Sequence, residues 1–282
     1  MKILITGAHG QLGKDITQLS QKNNTDTVPC GSQDLDITRY ETVIEYIFTQ
    51  KPDIIINCAA YNAVDQAETD WERAFLVNGL GPKNLSLAAN KVDAVLIHYS
   101  TDYIFNGQTS RPYTLVDTPD PISRYGESKL LGEQMVMRHA LKYFLIRVSW
   151  VFGAGNSNFV KKVLEWSSQR DQITVVDDQI SSPTYTKDLA QASLDLIKTE
   201  QYGIYHMTNT GHCSRYEWAY YILNQIGWTG ELTPGKSSNF KTKATRPAFS
   251  ALDNFGTDHT IGYELPSWQD ATGRFLHEIG RI

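Results

Sequence analysis

The sequence predicts an α/β fold, a doubly wound parallel sheet with a smaller C-terminal lobe, and three observations carry that prediction. Short apolar runs rich in β-branched residues alternate with segments of helical periodicity through the first 150 positions. Those runs are apolar at consecutive residues rather than at every second one. Both faces of the sheet are therefore expected to be covered, as in parallel sheets wrapped by helices. A cluster of glycines directly follows the first run, at the carboxyl edge where such sheets bind ligands.

KILIT (2–6) supplies the first strand, and a helix is expected from about Gln11. DTVPC (26–30) is a weaker second strand. Thr38 and Glu41 have capping-box spacing ahead of ETVIEYIFTQ, where Val43, Ile44, Ile47 and Phe48 recur at helical intervals until Pro52 stops the helix. IIINCAA (54–60) and AVLIHYS (94–100) are two further buried strands, with a helical stretch ending near Asn90 between them. YFLIRVSW (143–150) is a fifth strand, entered from a helix carrying Tyr125 and Lys129. Beyond residue 150 the pattern loosens. ITVVDDQ (173–179) suggests a strand and KDLAQASLDLI (187–197) a helix packing back on the sheet. SRYEWAYYILNQI (214–226) is a helix capped by Ser214 and Glu217, 229–246 is expected to be loop, and SWQDATGRFLHEI (267–279) a terminal helix.

Composition excludes several function classes. The chain has 282 residues, 41% of them hydrophobic, which is enough for a sizeable core. A formal net charge of −5, with no Lys/Arg run, argues against a nucleic-acid-binding face. Cys30, Cys58 and Cys213 are far apart and form no CxxC, which suits a reducing cytoplasm. No apolar run reaches membrane-spanning length, and MKILITGAHG lacks a signal-peptide core. The seven histidines form no HxxxH or HExxH pair, so no metal site is assigned.

The glycine cluster, TGAHGQLG (6–13), places Gly7, Gly10 and Gly13 at GxxGxxG spacing between a strand and a helix. Glycine there permits a tight turn and close backbone approach to a pyrophosphate at the positive end of the helix, with Gln11 and Leu12 alongside. The motif points to a dinucleotide. The second strand ends in Cys30, Gly31 and Ser32, not in the acid that would hold an adenosine ribose. Asp34 and Asp36 follow, and Arg39 is the first arginine available to a 2′-phosphate. NADH and NADPH both stay open on these residues.

Tyr125 and Lys129 stand four positions apart, hence on one helix face. A phenol with pKa near ~10 is a poor proton donor or acceptor at neutral pH. A nearby ammonium and a positive nicotinamide would favour phenolate and bring it into catalytic range. Lys129 can also hydrogen-bond the nicotinamide ribose. YSTD (99–102) ends a strand upstream, so Thr101 and Asp102 are expected at the ligand edge, Thr101 polarising a substrate carbonyl.

Taken in order, these motifs resemble the extended branch of the short-chain dehydrogenase/reductase superfamily, and within it the dTDP-4-dehydrorhamnose reductase family. The matching stretches are TGAHGQLG (6–13), LDIT (35–38), NCAAYNAVDQAE (57–68), HYSTDYIF (98–105), YGESKLLGE (125–133), RVSWVFG (147–153), NFVK (158–161), DQISSPTYTKDLA (178–190), GIYHMTN (203–209) and Arg246–Pro247. The resemblance implies a Rossmann-like NAD(P)-binding domain over 1–150, completed by roughly 186–210, and a substrate-binding lobe from 151–185 and 211–282. It makes Tyr125 and Lys129 the catalytic pair and Thr101 the superfamily serine/threonine, with Asp102 beside it at the sugar. Gly10, Gln11 and Leu12 would line the pyrophosphate, Asp36 and Ile37 flank the adenine, and Ala59, Ala60 and Tyr61 follow the cofactor towards the nicotinamide. Trp150 would contact the nucleotide-sugar, and Arg246 would pair with its diphosphate through a bidentate guanidinium.

Tyr103 stands where related dehydratases carry an acid, so the group for eliminating water is missing. The implied activity is NAD(P)H-dependent reduction of the C4 ketone of dTDP-4-dehydro-L-rhamnose to dTDP-L-rhamnose, in nucleotide-sugar and cell-surface polysaccharide biosynthesis. Two alternatives stand beside it: a non-catalytic regulatory subunit of the methionine adenosyltransferase type, and a ketoreductase giving the C4 epimer. Some family members dimerise through Mg2+ held by acidic residues. Asp15 falls near one such position, whereas Lys187 and Asp188 do not reproduce another. A monomer or a metal-independent homodimer is expected.

Overall fold

The computed structural model describes residues 1–155 and 157–282. Strands β1 (Lys2–Thr6), β2 (Asp26–Cys30), β3 (Ile54–Asn57), β4 (Val95–Thr101) and β5 (Tyr143–Val148) join Gly203–His206 in one six-stranded sheet. Every pairing in it is parallel, in the order β2, β1, β3, β4, β5 and then Gly203–His206. Successive side chains leave a strand on opposite faces. Ile3, Ile5, Ile54 and Ile56 accordingly pack on one side with Leu189 and Leu196 of helix Thr186–Ile197. Leu4 and Ile55 pack on the other with Ile47 and Leu85. Each such side chain stabilises the fold by about 1.5–3 kcal/mol. Burial on both faces is why the strands are apolar at every position.

The first four strands and the helices from Gln11, 187–197, 214–226 and 267–279 lie where the sequence places them, within a few residues. The Ser214–Glu217 capping box is formed in both directions. That of Thr38 and Glu41 is not. Both the amide and the hydroxyl of Thr38 donate to Asp36 Oδ1, at 3.0 and 2.7 Å, and the helix begins at Tyr40 with no side-chain cap. The short carboxylate two residues back competes better for Thr38 than the helix end does.

Two other expectations change. The span 229–246 contains the strand Glu231–Gly235, which pairs in parallel with Gln172–Val176, a hydroxyl contact of 2.9 Å joining Thr174 and Thr233. Pro234 and Gly235 hide this strand locally, and only the partner makes it one. The fifth strand stops at Val148, because Trp150 takes a left-handed φ of +42° and redirects the chain. Beyond that turn a second, aromatic core forms around Phe152, Tyr185, Trp218 and Phe275.

Among the described residues, one ion pair lies wholly inside the molecule. Arg147 of β5 donates from Nε and Nη2 to the two carboxylate oxygens of Glu133, at 3.1 and 2.8 Å, with both residues under 5% exposed. Glu133 belongs to helix Arg124–His139, so the pair locks that helix to the sheet. Removing one member strands a buried charge. Glu133→Leu is expected to cost about 3–5 kcal/mol in urea unfolding, and the double variant Glu133→Leu/Arg147→Met to recover much of it.

Candidate active site

The strand order reverses beside β1, which is flanked by β2 and β3, and a crevice opens beyond the carboxyl ends of β1 and β3. Gly7 makes the turn out of β1 at φ +63°, and a Cβ there would stand 2.5 Å from the amide nitrogen of Ala59. No other residue fits that approach of the two loops. Gly10 then begins helix α1 (Gln11–Lys22) from an extended conformation, with no side-chain cap and no acidic residue in the first turn. The positive end of α1 stays open to an anion.

A cleft of about 370 Å³ runs from this helix end across the sheet edge. Gly10, Gln11, Leu12 and Gly13 form one wall, and Cys58 and Ala60 another. Thr101, Asp102, Tyr125, Lys129 and Trp150 complete it, so residues from five separated stretches of the chain share one space. Gly7, Asp36, Ile37, Ala59, Tyr61 and Arg246 are not part of this lining. Gly7 shapes the turn, Asp36 is engaged with Thr38, and Ile37 is buried in the core. The Ala59 amide donates to Asn57 at 3.2 Å, and the Tyr61 hydroxyl donates to Asp70 at 3.1 Å. Arg246 donates to both oxygens of Asp65, at 3.2 and 2.7 Å, and lines a neighbouring cavity.

Tyr125 stands in the first turn of helix Arg124–His139, whose N-cap is Ser123. A Cβ on the next residue, Gly126, would meet the Tyr103 carbonyl oxygen at 2.3 Å, so only glycine lets this helix end sit so close to the end of β4. Lys129 is buried one turn on and donates from Nζ to the Tyr99 carbonyl at 2.6 Å. Burial lowers the ammonium to about 8 against a partial upward pull from Glu133. Burial also pushes the Tyr125 phenol well above its ordinary range, with the Thr101 hydroxyl pulling partly back. That is opposite to the phenolate expected from a neighbouring ammonium: in this cleft desolvation outweighs the charge. Tyr125 is therefore a phenol at neutral pH.

Thr101 donates to Asp102 Oδ1 at 3.0 Å and accepts from the Tyr103 amide at 3.2 Å. The other Asp102 oxygen accepts from Ser181 at 3.1 Å and Ser250 at 2.5 Å, and Ser149 bonds Ser181 in turn. Burial raises the Asp102 carboxyl although three hydroxyls pull it down. Asn78 is a second organiser. It accepts from the Tyr61 amide at 2.8 Å and donates to the Tyr61 carbonyl and to Ser128, each at 3.0 Å, joining the β3 loop to the Tyr125 helix.

Sequence reasoning missed Ser149, Ser181, Ser250 and Asn78 as site supports. Ser149 and Ser181 lie in matching stretches, but nothing local marks Ser250 or Asn78. It also missed Arg215, which stacks on Trp150 with 3.5 Å between guanidinium carbon and ring centroid. Trp150 lies in turn parallel to Trp218, ring centroids 5.8 Å apart. These stacks hold a bulky residue in a strained backbone conformation. Arg215 and Phe159 border both the cavity beside Trp150, of about 380 Å³, and a second one of about 340 Å³, whose apolar wall includes Trp166 and Phe240.

Of the positions suggested for a metal, Asp188 already has a cationic partner, whereas Asp15 is buried with one carboxylate oxygen lacking a hydrogen-bond partner among the described residues. Lys187 pairs with Glu278 at 2.7 Å, and Arg274 with Asp188 at 2.6 Å. Among the described residues no three His, Cys, Asp or Glu side chains converge as metal ligands. No helix among them is long and apolar enough to cross a membrane.

An open helix end and a Tyr/Lys/Thr cluster thus share one cleft. Residues 1–281 match the family described as the RmlD substrate binding domain. The spore coat polysaccharide biosynthesis protein SpsK of Bacillus subtilis is 36% identical, covering 98% of this chain and 97% of its own. The crystal structure of a dTDP-4-dehydrorhamnose reductase, an RfbD ortholog from Clostridium acetobutylicum, superposes with a TM-score of 0.97 at 39% identity over 99% of each chain. That of the reductase from Bacillus anthracis in complex with NADP superposes at 0.95, with 38% identity over 98% of this chain and 99% of that one. UDP-glucose 4-epimerase from Thermus thermophilus, 19% identical, shares the fold, with a TM-score of 0.84. The chain belongs to the RmlD family, that of the dTDP-4-dehydrorhamnose reductases.

Proposed function

We propose that this chain reduces the C4 ketone of dTDP-4-dehydro-L-rhamnose to dTDP-L-rhamnose with NAD(P)H. The observation that carries the reading is the convergence of Tyr125, Lys129 and Thr101 in the cleft that begins at the open end of α1. A dinucleotide fits there because Gly10–Gly13 present uncapped backbone amides to its pyrophosphate. When bound, it supplies the hydride. Lys129 spends one ammonium proton on Tyr99 and has two left for the ribose hydroxyls. Thr101 can turn its hydroxyl from Asp102 to the C4 oxygen, holding the carbonyl beside Tyr125. Tyr125 holds its proton until negative charge develops on that oxygen, transfers it there, and is reprotonated from solvent.

The adjoining aromatic cavity, with Trp166 and Phe240, is suited to the thymidine of the substrate. Residues 1–150 with about 186–210 then serve the cofactor, and the remaining segments the sugar nucleotide. A cytoplasmic enzyme is consistent with the three free thiols. SpsK is named for polysaccharide biosynthesis, and a role in cell-surface polysaccharide synthesis is proposed for this chain too.

Incubation with the keto-sugar nucleotide and NADPH or NADH should oxidise the cofactor and yield rhamnose, identified by NMR. The C4 epimer would redirect the stereochemistry, and cofactor binding without turnover would leave a binding module. Tyr125→Phe should lose about 10²- to 10⁴-fold in kcat while binding cofactor nearly as well. Lys129 supplies the pH dependence. Its cation is present below about 8 and lost above, so cofactor affinity should fall as pH rises through that value. Lys129→Met should bind weakly at every pH. Because the folded value lies below that of a free lysine, ~10.4, the unfolded chain binds more protons between the two values. This group therefore makes stability rise with pH across that window.

A further inference from the structure

A nucleotide-sugar diphosphate needs a cation in its cleft, and the arginine expected to supply it is already engaged. Arg246 is held by both oxygens of Asp65 and also donates to the Ala244 carbonyl at 3.1 Å. Arg215 is placed differently. Among the described residues no carboxylate lies within ion-pair distance of it. Its guanidinium carbon is 3.5 Å from the Trp150 ring centroid, 4.8 Å from that of Phe159 and 5.7 Å from that of Trp218. Stacking engages the faces of a guanidinium and leaves its N–H edge free to hydrogen-bond. The backbone beneath is rigid. Ser214 and Glu217 cap the helix Arg215–Gln225, and the Arg215 amide donates to the Gln179 carbonyl at 3.2 Å. The side chain borders both the aromatic cavity and the one beside Trp150, so it stands at their junction.

We infer that Arg215 is the diphosphate clamp of this site, pinned by aromatic rings so that its N–H edge meets the phosphates of a nucleoside-diphosphate sugar lying across the two cavities. The inference rests on the nucleotide-sugar reading above. Arg246 then acts as a positioning residue, tying the 244–246 segment to Asp65. The clamp also sets selectivity: a nucleoside without phosphates leaves Arg215 partly desolvated and unpaired, whereas a diphosphate satisfies it. Burial pulls the guanidinium down to about 10, which still leaves it a cation at neutral pH.

The test is titration of the full chain with dTDP and with thymidine, followed by NMR, using Arg215→Met, Arg215→Lys and Arg246→Met. Arg215→Met keeps the apolar stem and removes the charge. It should weaken dTDP about 10- to 100-fold while leaving thymidine and NADP+ within about twofold. Arg215→Lys should recover part of the loss, and Arg246→Met should weaken dTDP less than Arg215→Met does. Parallel weakening of dTDP and thymidine, with a lowered Tm, would assign Arg215 a structural role and overturn the clamp. So would a larger loss in Arg246→Met, or unchanged dTDP binding by Arg215→Met. Failure of the unsubstituted chain to bind dTDP would instead overturn the nucleotide-sugar reading and the clamp together.

Discussion

The site depends on one buried carboxylate. Asp102 is 2% exposed and accepts from Thr101, Ser181 and Ser250, residues that lie 1, 79 and 148 positions away in sequence. An ionised carboxylate is tolerated in such a place only when its lone pairs are satisfied. Three hydroxyls do so here, and each belongs to a different part of the chain. The end of β4, the short strand Ile180–Ser181 and the segment after Phe249 are thereby held at one point. The cleft takes its shape from that meeting, because Thr101 is oriented by Asp102 and Tyr103 follows directly.

Desolvation sets the chemistry of the neighbouring pair. It raises the Tyr125 phenol and lowers the Lys129 ammonium, so the two shifts run towards each other. A protonated phenol beside a cation that still holds its proton at neutral pH is the arrangement a reduction requires, since the carbonyl oxygen must end with a proton it did not bring. Glu133 reinforces this from the next turn of the same helix, and its own charge is held by Arg147 beneath the sheet. Tyr125, Lys129 and Glu133 therefore form a ladder at four-residue spacing that runs from the cleft into the core. The carboxylate of the buried ion pair shares its helix face with Tyr125 and Lys129.

Much of this was legible beforehand. Consecutive apolar strands predicted a sheet covered on both faces, and the glycine spacing predicted an open helix end. The four-residue spacing of Tyr125 and Lys129 predicted a shared face. These are local rules, and the physics that enforces them acts within a turn or a strand. Where the reading failed, a competing partner was responsible. Thr38 bonds Asp36 instead of capping a helix, and Glu231–Gly235 becomes a strand only against Gln172–Val176.

By itself the sequence determined the parallel α/β fold, the glycine turn between β1 and α1, and the placing of Tyr125 and Lys129 on one helix face. Each follows from periodicity or from residue types a few positions apart. The tertiary structure decided that Arg246 and not Arg215 meets a carboxylate, how Asp102 is satisfied and in which direction burial moves Tyr125. Those outcomes depend on desolvation and on contacts between distant segments. No short window of sequence contains the partners that decide them.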